Sequence, residues 1–137
     1  MAVISELIRS ESDGTLSFGD YTLSSKTKKS DFEYEGSSYK VKTFKEITKL
    51  ERDGNFVYES VPGTAVEHLR ESDEKVSFIV EGANDAQFTL ELEPETEYDI
   101  TIDGAYSGTM KTNLGGKLSV GVELDEGMPV SVVVEKA

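Results

Sequence analysis

The run Phe88-Thr89-Leu90-Glu91-Leu92-Glu93-Pro94-Glu95-Thr96-Glu97-Tyr98-Asp99-Ile100-Thr101-Ile102-Asp103-Gly104 carries the architecture of this 137-residue chain in miniature. Apolar residues stand at every second position, first at Phe88, Leu90 and Leu92 and again at Tyr98, Ile100 and Ile102. A period of two puts one face of each segment into a core and the other into water, which marks half-buried β-strands. Pro94 cannot donate to a ladder and separates the two strands, while Asp103-Gly104 supplies the positive φ angles of a tight hairpin turn.

The same alternation extends outward, through Val76, Phe78 and Val80 upstream and through Leu118, Val120, Val122 and Leu124 downstream. It ends with Val130, Val132 and Val134. Asp13-Gly14, Asp53-Gly54, Glu35-Gly36, Glu81-Gly82, Gly115-Gly116 and Glu126-Gly127 mark further reversals. The segments between them are of strand length, and no stretch has a helical period with caps. Phe44 to Arg52 comes nearest, but Asp53-Gly54 and Phe56-Val57-Tyr58 follow at once, which favours a hairpin. The expectation is an all-β protein, an antiparallel β-sandwich with an additional N-terminal β region. Strands are expected near 3–9, 15–18, 21–25, 31–34, 37–43, 47–51 and 55–60, then near 64–71, 75–81, 86–93, 97–102, 106–112, 117–124 and 129–135. Val61-Pro62-Gly63 divides the groups into a hairpin-built region, 1–61, and a seven-stranded sandwich, 62–137. The first group has little room for a core of its own, so it is expected to pack on the second or on another subunit.

Composition narrows the classes. The net charge is −13, and it is unevenly placed: residues 1–60 hold 9 basic and 11 acidic side chains, residues 61–137 hold 5 and 16. Such acidity repels nucleic acid and anionic lipid, so neither a nucleic acid nor a membrane is an expected partner. The chain has no cysteine, which fits the cytosol and removes disulfides and thiolate metal sites. Met1 to Ser10 lacks a basic leader and a long apolar run, so a cytoplasmic location is expected. Lys26, Lys28, Lys29, Lys40, Lys42, Lys45, Lys49 and Arg52 crowd into one segment with five acids. They form either an exposed strand face that resists edge-to-edge aggregation or a basic patch that meets the acidic half of a neighbouring subunit.

The C-terminal half resembles the small immunoglobulin-like or fibronectin-III-like sandwiches of bacterial carbohydrate-active proteins. The resemblance rests on Val76-Ser77-Phe78, on Phe88 through Tyr98, on Ile100-Thr101-Ile102-Asp103-Gly104 and on Gly116-Lys117-Leu118-Ser119-Val120. The whole chain is similar to small clostridial proteins, some of which carry the label endosialidase. These resemblances imply a sandwich fold and a carbohydrate-binding module or a small glycan hydrolase.

Read from the residues, catalytic chemistry is thinly supplied. His68 is the only histidine, and Ser60 and Ser72 lie near it in sequence, but no Gly-x-Ser-x-Gly elbow is present. Glu91, Glu93, Glu95 and Glu97 recur at the spacing of one strand face, about 6.5–7 Å, which suits an inverting pair. They also alternate with Leu90 and Leu92 as an outer face should, and Pro94 interrupts them. No tryptophan offers a sugar platform, and the three arginines, Arg9, Arg52 and Arg70, are scattered. Asp73-Glu74 and Asp125-Glu126 are the acidic loops, without the spacing of a calcium loop, and Gly115-Gly116 is followed by a strand rather than a phosphate-binding helix. No catalytic residue, metal or cofactor is assigned. The binding candidates are the aromatic residues Phe32, Tyr34, Tyr39, Phe56 and Tyr58, since tyrosine offers large contact area with few rotors. The resulting expectation is a non-catalytic protein that acts by protein–protein contact and forms a homo-oligomer, with a carbohydrate-binding module as the alternative and a small glycan hydrolase of the endosialidase-labelled group behind it. The ligand class is a protein or a glycan.

Overall fold

A computed structural model describes residues 5–137, and they are nearly all strand. After a 3-10 turn at Ser5–Leu7 come β1 (Ile8–Ser10), β2 (Leu16–Phe18), β3 (Thr27–Tyr34), β4 (Ser37–Phe44), β5 (Ile47–Arg52) and β6 (Asn55–Val61). They are followed by β7 (Ala65–Glu71), β8 (Lys75–Glu81), β9 (Ala86–Glu91), β10 (Glu97–Ile102), β11 (Ala105–Lys111), β12 (Lys117–Val122) and β13 (Val130–Lys136). Two antiparallel sheets pack against each other. One runs β1-β2-β7-β8-β13-β10-β11, the other β12-β9-β6-β5-β4-β3. The all-β sandwich expected from the alternation is what the chain forms.

Three of the two-residue hairpins, at Glu35-Gly36, Asp53-Gly54 and Asp103-Gly104, have both φ angles between 50° and 83°. That is the conformation that matches the right-handed twist of the flanking strands. The two aspartates do more than tolerate the turn. Asp53 Oδ1 accepts the backbone N–H of Ser38 at 2.9 Å, and Asp103 Oδ1 accepts that of Ser131 at 2.9 Å, so each turn is tied to the strand beside it.

Two expected strands come out differently. Residues 21–25 form turns and a bend instead of a strand, because Asp20 Oδ1 accepts both the N–H (2.9 Å) and the hydroxyl of Thr22 and curls the chain locally. The strand that follows begins at Thr27, ahead of the expected 31–34. The first expected strand, 3–9, lies partly outside the described residues. Glu6 and Leu7 have φ of 58° and 72°, which breaks extension and delays β1 to Ile8.

Val61-Pro62-Gly63 is the crossing from one sheet to the other, from β6 to β7. A Cβ on Gly63 would stand 2.0 Å from the Phe44 carbonyl oxygen, so only glycine lets the crossing pass the β4–β5 turn. Residues on both sides of this crossing serve both sheets: β1 and β2 extend the sheet of β7, and β9 and β12 extend the sheet of β6. One core holds Phe18, Val41, Leu50 and Tyr58 together with Phe78, Phe88, Ile100, Leu118 and Val132. The division of the chain at 61/62 and its division into sheets are therefore different divisions.

The Tyr58 ring is the centre of that core, 5.4 Å from Phe18, 5.8 Å from Phe78 and 6.1 Å from Phe88, the last stacked. Its hydroxyl is satisfied by the Thr64 hydroxyl at 2.8 Å, and burial pushes its pKa up to about 12. Thr64 continues a chain of buried hydroxyls. Ser60 Oγ lies 2.7 Å from Thr64 Oγ1, Thr48 donates to the Thr64 carbonyl at 2.7 Å, and Thr43 meets Thr48 at 2.8 Å. A fully bonded network of this kind satisfies its polar atoms while it pins the crossing strand to both sheets. No described helix is long and apolar enough to cross a membrane.

Candidate functional site

Lysines gather on the outer face of the second sheet. In β4, Tyr39, Val41 and Thr43 are buried, so Lys40 and Lys42 point away from the core. In β5, Thr48 and Leu50 are buried and Lys49 and Glu51 point away. The short Lys45-Glu46 turn sets Lys42 directly opposite Lys49. On the other side β3 sets Lys28 directly opposite Lys42. A register shift between Lys29 and Phe32 makes this possible: the strand carries one extra residue there, with Asp31 at φ 61°. One extra residue exchanges the two faces of a strand. It turns Lys28 outward and leaves Lys29 opposite buried Val41, its ammonium 3.2 Å from Glu6.

The outcome is a row, Lys28–Lys42–Lys49, across three adjacent strands, with Lys40 beside it. These four lysines and Glu51 line a surface concavity of about 290 Å³, its mouth included. Glu51 lies 3.5 Å from Lys49. Among the described residues, Lys28, Lys40 and Lys42 form no ion pair, although Lys29, Lys117 and Lys136 each find a carboxylate.

The aromatic candidates do not share this face. Tyr58 and Tyr39 are buried in the core, and Phe32 and Tyr34 are partly buried against it. Tyr34 meets Tyr39 edge-on at 5.7 Å and donates its hydroxyl to the Gly14 carbonyl at 2.5 Å, so it locks a turn. Phe56 alone belongs to the outer face, through the register shift between Leu50 and Glu51 that sets it opposite Glu51. Its ring is capped by Lys117 Nζ, 4.7 Å from the centroid, with Lys49 Nζ at 6.0 Å. The alternation that drew attention to these rings is the alternation that takes most of them into the core.

His68 lies at a second polar cluster, built where β7 shifts register between Glu67 and Arg70. Its φ of 57° turns the ring toward the β1–β2 turn. Nδ1 is 3.1 Å from Asp13 Oδ2 and 3.0 Å from Thr15 Oγ1, and the Thr15 hydroxyl itself donates to Asp13. Nδ1 is therefore the donor. Two hydrogen bonds from Thr15 hold the Asp13 carboxyl below its ordinary range. Beside it the buried Ser17 hydroxyl does the same for Glu11. A nucleophilic triad needs a hydroxyl at Nε2, and no described hydroxyl is bonded there; Ser60 is in the core network and Ser72 binds the backbone of its own turn.

The glutamates separate in the same way. Glu91 ends β9 in one sheet, 3.7 Å from Lys117, while Glu97 begins β10 in the other. Glu93 pairs with Lys136, and Glu95, at φ 50°, turns the corner after Pro94. No group of three or more His, Asp or Glu side chains among the described residues gathers as metal ligands would.

The fold and the lysine face define a two-sheet antiparallel β-sandwich with a lysine-rich outer surface on its second sheet. No protein-family model matches the chain, and no curated protein and no solved structure matches it either.

Proposed function

We propose that this is a non-catalytic β-sandwich protein that acts by protein–protein contact and self-associates through the lysine face of its second sheet. One observation carries the reading: the Lys28–Lys42–Lys49 row, in which a single described carboxylate, Glu51, pairs with a lysine, in a chain of net charge −13. Like charges directly opposite on neighbouring strands destabilise a sheet by roughly 0.2–1 kcal/mol per pair. The sequence carries 27 acidic side chains, yet among the described residues the row has one carboxylate within reach, Glu51 at 3.5 Å from Lys49, and Lys28 and Lys42 have none. Carboxylates from outside offset the repulsion.

A second copy supplies them. On the first sheet Val130, Val132, Val134, Tyr98 and Ile100 are buried, so Asp99 and Glu135 face out, and they stand directly opposite each other. That pair repels for the same reason as the lysines. Docking the basic face of one copy on the acidic face of another relieves both. The absence of cysteine fits a reducing cytosol, where we place the protein. A glycan platform, by contrast, needs an exposed ring, and the rings near this face are buried or capped.

Sedimentation velocity on the full chain at micromolar concentration tests the reading. Association is expected in about 0.01 M salt, where charges are felt over ~30 Å, and dispersal in about 1 M salt, where the reach is ~3 Å. Lys42→Glu is expected to stay monomeric in both. A wild-type monomer at low salt overturns the proposal.

A further inference from the structure

The lysine face has a feature that a flat docking surface would not need: it is concave. Lys42 and Lys49 are half-buried and Lys28 and Lys40 exposed, and all four side chains line one hollow together with Glu51. Much of the 290 Å³ is open mouth; about 50 Å³ is space that water-sized groups can occupy, and one water needs roughly 10–15 Å³ of it, so the hollow takes the oxygens of one tetrahedral anion and leaves the rest of a ligand in solvent. We infer that this hollow binds a small multiply charged oxyanion, a phosphate- or sulfate-bearing molecule. The inference rests on the reading that this face is the working surface, and it adds a soluble ligand that competes there with the protein partner.

Residue type supports a tetrahedral anion over a lone carboxylate. All four cations are lysines. Arginine offers a planar fork that fits a carboxylate in two hydrogen bonds, whereas lysine is a point charge whose three donors rotate. A cluster of point charges with one acid among them selects for total charge. It draws a ligand of charge −2 or more and holds a singly charged carboxylate only weakly. Adjacent strands stand about 4.8 Å apart, so a group seated over Lys42 is within reach of the ammonium on either side. The hollow lies on three hydrogen-bonded strands, β3, β4 and β5, which keeps the lysine stems in place before the anion arrives.

The experiment is calorimetric titration of the full chain with inorganic tripolyphosphate at an ionic strength held constant with sodium chloride, with inorganic sulfate as a second arm. Saturable binding at one site is expected, weakened tenfold or more by Lys42→Gln and by Lys49→Gln and changed less than twofold by Lys26→Gln, which lies outside the hollow. Lys42→Gln removes like-charge repulsion and breaks no described ion pair, so it is expected to keep the wild-type melting temperature or exceed it. Binding in the tripolyphosphate arm alone assigns a phosphate ligand, and equal binding in both arms assigns oxyanions at large. Heats no larger than the chloride blank overturn the inference, as does an equal loss in Lys26→Gln. The two readings fail separately. Saturable oxyanion binding by a chain that stays monomeric at low salt removes self-association and leaves the oxyanion site. Salt-sensitive association without saturable binding removes the site alone.

Discussion

Glu81 shows how one side chain can oppose the pH response that Glu11, Asp13 and Asp53 give the fold. It ends β8, is 5% exposed, and carries a raised pKa, first because burial disfavours its charge and then because the Glu67 carboxyl lies beside it. A raised carboxyl pKa means that the folded chain holds its proton more tightly than the unfolded chain. The stability this contributes is present below the unfolded value and is lost as pH rises through the folded one. Asp13, Asp53 and Glu11, whose pKa values are lowered, contribute stability above their ordinary range and lose it as pH falls. Glu81→Gln keeps the shape and removes the charge. At pH 7 the variant is expected to melt higher than wild type by about 4 °C, on the order of 1 kcal/mol, and the gain is expected to vanish near pH 4. Thermal melts across that range check it, and a gain that is constant with pH would show that the charge is not the cause. In the sequence Glu81 is only one acid before a glycine; its burial depends on what packs over it.

At the level of elements, the site turns on one extra residue in β3. Part of it is legible in advance. The Lys45-Glu46 turn joins Phe44 to Ile47, and counting outward from it pairs Lys42 with Lys49. The Glu35-Gly36 turn pairs Tyr34 with Ser37, but counting outward from there would pair Lys29 with Lys42 and bury Lys28. The shift at Asp31 corrects this, and no local signal beyond an aspartate in a polar stretch announces it. The aromatic residues misled for a related reason: alternation reports which side chains share a face, and whether that face is inside depends on the opposite sheet. Asp31 sits at φ 61°, a conformation that costs an ordinary residue roughly 1–2 kcal/mol and that glycine adopts freely. Asp31→Gly is expected to leave the melting temperature unchanged or raise it slightly, and Asp31→Val to lower it by about 5 °C. Deletion of Asp31 removes the extra residue and is expected to leave Lys28 opposite Lys42 and Lys29 opposite Val41, with Ser30 now directly opposite Lys40 in an unbroken ladder. Amide cross-strand contacts measured by nuclear magnetic resonance check it, and a pairing of residue 29 with 42 in the deletion variant would sink the register argument.

On the scale of the molecule, local turns and alternation made the strands readable, while the order of strands in the sheets depends on long-range pairing that no short stretch encodes. Residues 62–137 read as seven strands with the spacing of a complete sandwich. In the fold, five of them, β7, β8, β13, β10 and β11, lie together in one sheet, and β9 and β12 form a pair at the edge of the other. The sheet that covers the five is completed by β6, β5, β4 and β3 from the first part of the chain. Without residues 1–61 the C-terminal part loses Phe18, Tyr39, Val41, Leu50 and Tyr58 from its core. β7 then exposes the edge that pairs with β2, and β9 the edge that pairs with β6. Each large apolar side chain removed from a core forfeits about 2–5 kcal/mol, against a typical total stability of about 5–15 kcal/mol for a domain. Five such losses, about 10–25 kcal/mol, are comparable to that total or larger. A fragment of residues 62–137 is therefore expected to show no cooperative thermal transition and poor dispersion of its amide resonances, while mixing it with residues 1–61 is expected to restore both. A sharp transition in the isolated C-terminal fragment would make residues 1–61 an appendage to a self-sufficient sandwich, and the lysine face with them.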